Sequence, residues 1–194
     1  MDERPESTLK APHAERLAAL RGELAARGLD GLIVPLQDEH QGEEVPACSR
    51  RLTWLTGFTG SAGLAVVLHE RAALFVDGRY TLQVRKETDT ALFEPRHLSD
   101  EPPARWIAKH LGGERLGYDP WLQTPQSIER FQKAADEAGG ELIACKANPI
   151  DAAWSDRPAP PDAPIVVHDL KYAGESSAEK RRRLAAALAS EEHA

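Results

Sequence analysis

Three glycines, Gly57, Gly60 and Gly63, recur at every third position in the stretch TWLTGFTGSAG. A dinucleotide-binding loop needs Gly-x-Gly-x-x-Gly after a strand and before a helix, whereas here the apolar run LAVVL follows the glycines. A phosphate-binding Walker loop is excluded too, because no Gly-Lys-Ser/Thr closes the stretch. The spacing therefore predicts a structural loop that turns tightly into a strand.

Ser61 lies in TGSAG, which differs by one residue from the Gly-x-Ser-x-Gly turn of serine hydrolases. Thr59 occupies the place of the first glycine, and a nucleophile turn needs a strand before the serine and a helix after it. The order of elements is reversed here, and the sequence identifies no base for the serine. A self-contained serine hydrolase is therefore the weakest functional hypothesis.

An acidic loop with one histidine, DEHQGEE, precedes the glycines. Carboxylates and imidazole are ligands that divalent metals use, and the loop offers Asp38, Glu39, His40, Glu43 and Glu44. All of these come from one flexible segment, and no second segment of fixed spacing closes a cage. The pattern favours a solvated acidic loop over a metal site.

The segment FVDGRY places charged and aromatic residues where a strand is predicted to end and a helix to begin. Asp77 or Gly78 is expected to cap that helix. Two roles are open for Arg79: a structural ion pair with a carboxylate, or an outward contact with a ligand. The residues alone do not choose between them.

Charge and cysteine usage limit the classes of partner. The 194 residues include 24 Lys and Arg against 31 Asp and Glu, a net charge of −7, and such a field opposes a nucleic-acid backbone. No secretory signal pattern and no apolar run of about 18 residues occur, so we expect a cytoplasmic protein without a membrane partner. Cys48 and Cys145 lack CxxC spacing, which favours buried, reduced thiols.

Apolar periodicity predicts helices that alternate with short strands. Such alternation is typical of an α/β fold, here with a mixed β-sheet layered with helices, because two of the strands form a hairpin. The predicted helices cover 13–27, 52–56, 79–89, 103–111 and 125–138, and the predicted strands cover 29–35, 63–69, 71–78, 91–95, 115–119 and 141–145.

Four regions are predicted along the chain. Residues 1–12 are expected to be disordered, 13–155 form the α/β domain, and 156–175 form a proline-rich linker. Residues 176–194 begin with the capping-box spacing of Ser176 and Glu179. That helix carries too few apolar residues to be stable alone, so its partner is expected in sequence that is missing.

Five segments together resemble the amino-terminal domain of aminopeptidase P, the X-prolyl aminopeptidases of the creatinase and prolidase superfamily, in its larger three-domain cytosolic type. They are DEHQGEEVPACSRRLTWLTGFTGSAGLAVV, ALFVDGRYTLQVRKE, GYDPWLQT, NPIDAAWSDRPAPP and HDLKYAGESSAEK. The resemblance runs in order from about His13 to Lys180.

This resemblance implies a creatinase-like amino-terminal α/β domain, a second domain of similar fold and a catalytic domain that holds two divalent metal ions, usually manganese. Residues 176–194 then correspond to a truncated first helix of the second domain. The amino-terminal domain is expected to be non-catalytic, to help form a homodimer and to border the substrate cleft, for which Arg79, Tyr80 and His40 are the candidates. No catalytic residue or metal ligand is assigned to this chain.

The implied activity of the parent protein is removal of an amino-terminal residue that precedes proline in a peptide. The alternative is a peptide-binding or assembly module, since superfamily members without peptidase activity, including a histone chaperone subunit, share the fold. The sequence beyond residue 194 discriminates between them, because only a peptidase needs the five metal ligands.

Overall fold

A computed structural model describes residues 6–190, and it divides the chain into two compact units, Met1–Pro160 and Pro161–Ala194. The first unit contains one six-stranded sheet of order β4-β3-β2-β1-β5-β6. Its strands are β1 (Gly31–Pro35), β2 (Gly63–Leu68), β3 (Ala72–Val76), β4 (Glu94–His97), β5 (Arg115–Tyr118) and β6 (Glu141–Ala144).

Strand direction decides where the loops meet. Strand β2 is antiparallel to both β1 and β3, whereas β3 with β4, β1 with β5, and β5 with β6 are parallel pairs. Five strands therefore run the same way, and the residues after them lie at one edge together with the residues that lead into β2. We call this the carboxyl edge. The mixed α/β sheet and the β2–β3 hairpin confirm the sequence prediction.

Helices cover both faces of the sheet. The chain contains α1 (Glu6–Ala26), α2 (Arg51–Thr56), α3 (Gln83–Glu87), α4 (Pro103–His110), α5 (Pro125–Glu137), α6 (Pro149–Ala153), α7 (Leu170–Ala173) and α8 (Ser177–Ser190), with 3-10 turns at Ala47–Ser49, Gly78–Tyr80 and Pro120–Leu122. Helices α1, α2 and α6 contribute to one apolar cluster, and α4 and α5 contribute to the other.

Strand β1 shows how the sequence divides between the two clusters. Leu32 and Val34 point into the cluster with α1, and Ile33 points into the cluster with α4. Each of these side chains is at most 2% exposed. Successive residues of a strand face opposite sides of the sheet, so a strand covered on both sides needs the continuous apolar run that the sequence has here.

The predicted boundaries are wrong at several positions. Helix α1 begins at Glu6, before the predicted start at residue 13, and it contains Pro12. The division of the chain into four regions, with a disordered segment at 1–12, stays a prediction. Residues 1–5 lie outside the described part. The strand predicted at 91–95 corresponds to β4, which begins three residues later, at Glu94. The preceding residues form a turn instead, because the backbone N–H groups of Leu92 and Phe93 donate to the carbonyl of Asp89.

Two further segments differ from the prediction. The helix expected over 79–89 is divided into the 3-10 turn Gly78–Tyr80 and the short α3. Helix α6 was not predicted, although Asn148 caps it by accepting the N–H of Ile150, a signal visible in the sequence. Helix α7 lies inside the predicted linker.

The second unit contains α7 and α8. Helix α8 begins with the predicted capping box: Ser176 Oγ accepts the N–H of Glu179, and Glu179 Oε2 accepts the N–H of Ser176. Leu184 and Leu188 on α8 are 56% and 60% exposed. The assignment of this helix to a second domain stays a prediction.

Two other expectations concern thiols and membranes. Cys48 and Cys145 are both free and buried, as predicted. Within residues 6–190, no helix combines the length and the apolar character that crossing a membrane requires.

Candidate functional site

The carboxyl edge gathers the residues that the sequence singled out. His40 lies in the loop after β1, the three glycines lead into β2, and Arg79 and Tyr80 follow β3. Because β2 lies between β1 and β3, these segments are neighbours at one edge although they are distant in sequence. In α/β folds this is the edge at which functional side chains are commonly presented.

Arg79 pairs with a carboxylate of its own turn. Its Nε lies 3.0 Å from Asp77 Oδ2, and its guanidinium lies 5.1 Å from the centre of the Tyr80 ring. Hydrogen bonding to Asp77 raises the pKa of Arg79, and the same bonds lower the pKa of Asp77. Asp77 also caps the turn by accepting the N–H of Arg79, as predicted. The Arg79 side chain is 67% exposed, so the pair is solvated and leaves donors available.

Tyr80 is held by two contacts from the segment 57–63, which contains the three glycines and which we call the glycine loop. Its hydroxyl lies 2.7 Å from Ser61 Oγ, and its ring packs edge-on against Phe58 with 5.6 Å between ring centres. The hydrogen bond with Ser61 lowers the pKa of Tyr80. Ser61 is therefore the partner of a tyrosine, and within the described residues neither a histidine nor a carboxylate forms a hydrogen bond with it.

Each of the three glycines occupies a position where a side chain is unfavourable. Gly57 ends α2 in the left-handed region with φ 82°, and a Cβ there would lie 2.9 Å from the carbonyl oxygen of Glu87. A Cβ on Gly60 would overlap the rings of Phe58 and Tyr80. A Cβ on Gly63 would lie 3.0 Å from Phe58. This close packing brings the loop against the segment that carries Arg79 and Tyr80.

A second set of hydrogen bonds holds the glycine loop to α3. The carboxylate of Glu87 accepts the backbone N–H of Thr59 and its hydroxyl, both at 2.8 Å. Gln83 donates to the same carboxylate at 2.9 Å. Sequence reasoning missed this network, because nothing local marks Glu87 as the partner of a residue 28 positions away.

His40 is the most solvated of the three candidates. Its side chain is 81% exposed and lies 3.9 Å from Glu39, while its backbone N–H donates to the buried carboxylate of Asp38. The structure brings Arg79 and Tyr80 together, and it places His40 at the same edge without a hydrogen bond to either of them.

A cleft of about 290 Å³ opens between the acidic loop and the glycine loop. Glu43 and Glu44 line one part of it, and Thr59, Gly60 and Ser61 line another. We call it the acidic cleft. Its carboxylates and hydroxyls offer hydrogen-bond acceptors to a cationic or polar ligand. Within residues 6–190, no three His, Cys, Asp or Glu side chains come together in a metal-binding arrangement.

His13 lies against the glycine loop and is the titratable group from which we expect a dependence of stability on pH. A Cβ on Gly57 would lie 2.9 Å from His13 Nε2. Burial is the main cause that lowers the pKa of His13, and the charge of Arg16 lowers it further. Below about pH 6.5 the His13 imidazole is therefore protonated more readily in the unfolded chain than in the folded domain.

We accordingly expect the free energy of unfolding to fall as the pH drops from about 7 to 5. His13→Gln removes this contribution, so its melting temperature should fall less than that of the wild-type chain when both are measured at pH 7.5 and pH 5.5. His110, whose pKa burial also lowers, adds a parallel contribution that remains in both proteins. An equal or larger fall in the variant would contradict the assignment to His13.

A family model described as "Creatinase/Prolidase N-terminal domain" matches residues 16–152. The chain is 40% identical over 158 residues to aminopeptidase P2 of Arabidopsis thaliana, covering 79% of the chain and 22% of that protein. It is 37% identical over 175 residues to a probable Xaa-Pro aminopeptidase P of Pyrenophora teres f. teres, covering 88% of the chain and 27% of that protein. The chain spans roughly a quarter of the length of these two relatives.

Two solved structures have the same fold. The X-prolyl aminopeptidase of Caenorhabditis elegans, described as a cytosolic enzyme with a di-nuclear active site, has a TM-score of 0.79 at 27% identity, covering 92% of the chain and 31% of that protein. The N-terminal domain of the cytoplasmic peptidase PepQ from Mycobacterium tuberculosis H37Rv has a TM-score of 0.55 at 25% identity, covering 72% of the chain and 98% of that domain.

Proposed function

The chain belongs to the creatinase/prolidase N-terminal domain family, and from this premise we propose that it is the non-catalytic amino-terminal domain of a metal-dependent X-Pro aminopeptidase. The parent protein would remove the amino-terminal residue that precedes proline in a peptide. The bond before proline is a tertiary amide without an N–H, so such an enzyme needs a dedicated binding site.

One observation carries this proposal. The chain aligns along 79% of its length with only 22% of aminopeptidase P2, so the similarity is to one part of a larger peptidase. The C. elegans structure supports it, because that enzyme has a di-nuclear active site and the chain corresponds to 31% of its length. We therefore place the chemistry in sequence outside this chain.

The carboxyl edge is the surface that we assign to the substrate cleft. Arg79 and Tyr80 are proposed to face the peptide, and His40 to lie at the border of the cleft. The exposure of Arg79 and His40 supports this role, because both side chains are accessible to a ligand. The contacts of Gly57, Gly60 and Gly63 support a positioning role for their loop.

The remaining parts of the proposal concern cofactor, assembly and location. Residues 6–190 do not fit a two-metal site, since they bring together no suitable donor set, and we place two divalent ions, manganese by family resemblance, in the catalytic domain of the parent. The ions would polarise the scissile carbonyl and activate water. We further propose a homodimer in the cytoplasm, with residues 176–194 opening the second domain.

The chain alone is expected to have no X-Pro aminopeptidase activity. Purified chain should release no amino acid from a series of X-Pro dipeptides, with or without added Mn²⁺, because residues 6–190 form no carboxylate cage for a two-metal site. Full-length aminopeptidase P2 of A. thaliana serves as the positive control. Turnover that is proportional to the amount of chain and is abolished by a chelator would refute the non-catalytic assignment.

Sequencing the gene beyond Ala194 tests the parent activity directly. Five metal ligands in the order typical of the superfamily, together with Mn²⁺-dependent cleavage of X-Pro peptides by the full-length protein, are the expected result. A continuation without those ligands would favour the peptide-binding or assembly module instead.

A further inference from the structure

A second cleft opens at the carboxyl edge, on the side of the sheet covered by α4 and α5. It lies outside the carboxyl ends of β1 and β5 and is closed by the first turns of α4 and α5. Open α/β sheets bind ligands in this position. The volume of about 340 Å³ is at the lower end of the roughly 300–1,000 Å³ of small-molecule sites, so the cleft suits a ligand of amino-acid size.

The walls of the second cleft are apolar and carry one positive charge. Its apolar lining includes Leu64, Leu98, Leu122 and Phe131, and Arg130 is its charged side chain. None of the described residues that line it carries a carboxylate, although the chain as a whole has a net charge of −7. In this respect it is the opposite of the acidic cleft, and it complements a ligand that is apolar and anionic.

A buried amide in the wall points to a further feature of the ligand. The side-chain nitrogen of Gln123 is inaccessible to solvent and has no hydrogen-bond partner among residues 6–190. The neighbouring hydroxyl of Thr124 is already engaged with the N–H and the hydroxyl of Ser127. A buried donor without an acceptor is unfavourable, and rotation of the Gln123 side chain into the cleft would let a ligand carbonyl accept its hydrogen bond.

We propose that the second cleft binds a small apolar carboxylate that carries an amide carbonyl, the chemistry of an N-acylated leucine or of the carboxyl-terminal residue of a peptide. The apolar side chain packs between Leu122 and Phe131, the carboxylate lies near Arg130, and the carbonyl accepts a hydrogen bond from Gln123. The proposal does not depend on the peptidase function, because the site consists only of residues of this chain.

Titration of the 194-residue chain with four probes, followed by two-dimensional NMR, tests the site. N-acetylleucine should bind and shift amide signals in 98–104 and 122–131. N-acetylleucinamide lacks the charge and 4-methylpentanoate lacks the amide, so both should bind more weakly. Glycylglycylleucine distinguishes the two possible ligands. Tighter binding than that of N-acetylleucine assigns the site to the carboxyl terminus of a peptide, and weaker binding assigns it to a free N-acylated amino acid.

Three variants assign the contacts. Arg130→Gln should weaken the binding of N-acetylleucine about two- to fivefold, as expected for an exposed charge pair. The matched control Arg105→Gln on α4 should leave the affinity unchanged. Gln123→Leu should abolish the preference for N-acetylleucine over 4-methylpentanoate. Ser127→Phe should fill the cleft and prevent binding while the dispersion of the spectrum is retained. Absence of shifts up to the solubility limit of N-acetylleucine, shifts confined to other residues, or equal effects of the two arginine variants would overturn the proposal.

Discussion

Replacing Asp151 by alanine is expected to lower the free energy of unfolding of the first unit by about 3 kcal/mol. The Asp151 carboxylate accepts two hydrogen bonds from Arg51, at 2.7 and 2.9 Å, and lies 2.7 Å from Arg157. The Arg51 side chain is only 8% exposed, so the substitution leaves a buried positive charge without its partner. Asp151 is itself 26% exposed, which keeps the estimate at the lower end of the 3–5 kcal/mol typical of broken buried pairs.

The electrostatics of Arg51 agree with this expectation. Burial by itself lowers the pKa of Arg51, but the hydrogen bonds and charge of Asp151 outweigh burial and raise the pKa above its usual value. In addition, Nη1 of Arg51 is buried without a partner among residues 6–190. The guanidinium stays charged with or without Asp151, so loss of that carboxylate leaves a largely buried positive charge without its main partner.

Thermal unfolding measures the effect. A loss of about 3 kcal/mol corresponds to a fall in melting temperature of about 6–12 °C for a domain of this size. Asp156→Ala, which removes an exposed carboxylate five residues away, is the matched control and should leave the melting temperature nearly unchanged. If both variants melt at the same temperature, the Arg51–Asp151 pair does not stabilise the domain.

Replacing Arg79 by alanine in the full-length protein is expected to lower kcat/KM for an X-Pro peptide about tenfold or more. The reason is the loss of the charged hydrogen bond that we propose Arg79 donates to a carbonyl or carboxylate of the substrate. The only ion pair that Arg79 makes among the described residues is with Asp77, on the same exposed turn. Such a pair stabilises a fold very little, so the 194-residue chain with the same substitution should keep its melting temperature.

Arg85→Ala is the matched control for this experiment, because it removes an exposed arginine from α3, six residues further along the chain. It should leave both kcat/KM and the melting temperature close to those of the wild type. A lower melting temperature for Arg79→Ala, with normal kcat/KM per folded enzyme, would show instead that Arg79 acts only within the fold.

Features that depend on a few neighbouring residues were predictable from the sequence. Leu17, Leu20 and Leu24 recur at helical spacing and are each at most 2% exposed on α1. Thr124 caps α5, and its hydroxyl accepts the N–H of Ser127. The hairpin and the capping box of α8 follow the same rule, because turn and cap residues act within four positions along the chain.

Part of the candidate site was predictable for the same reason. A charged residue directly after an apolar strand, as in FVDGRY, lies at the end of the sheet whatever the order of the strands. The partner of Arg79 was not identified in advance, although Asp77 is only two residues away. Both a local pair and an outward contact fit that sequence, and only the side-chain geometry distinguishes them.

The sequence by itself determined the fold class, the alternation of helices and strands, the turn that presents Arg79 and the family to which the chain belongs. Tertiary structure alone decided the strand order, and with it the meeting of the loops after β1 and β3 with the glycine loop at the carboxyl edge. It also decided the contacts of Ser61 with Tyr80 and of Arg51 with Asp151, which join residues 19 and 100 positions apart. Such contacts arise because the central strands β1, β2 and β3 must bury both of their apolar faces. Packing of the whole domain, rather than local propensity, settles which distant segments cover those faces.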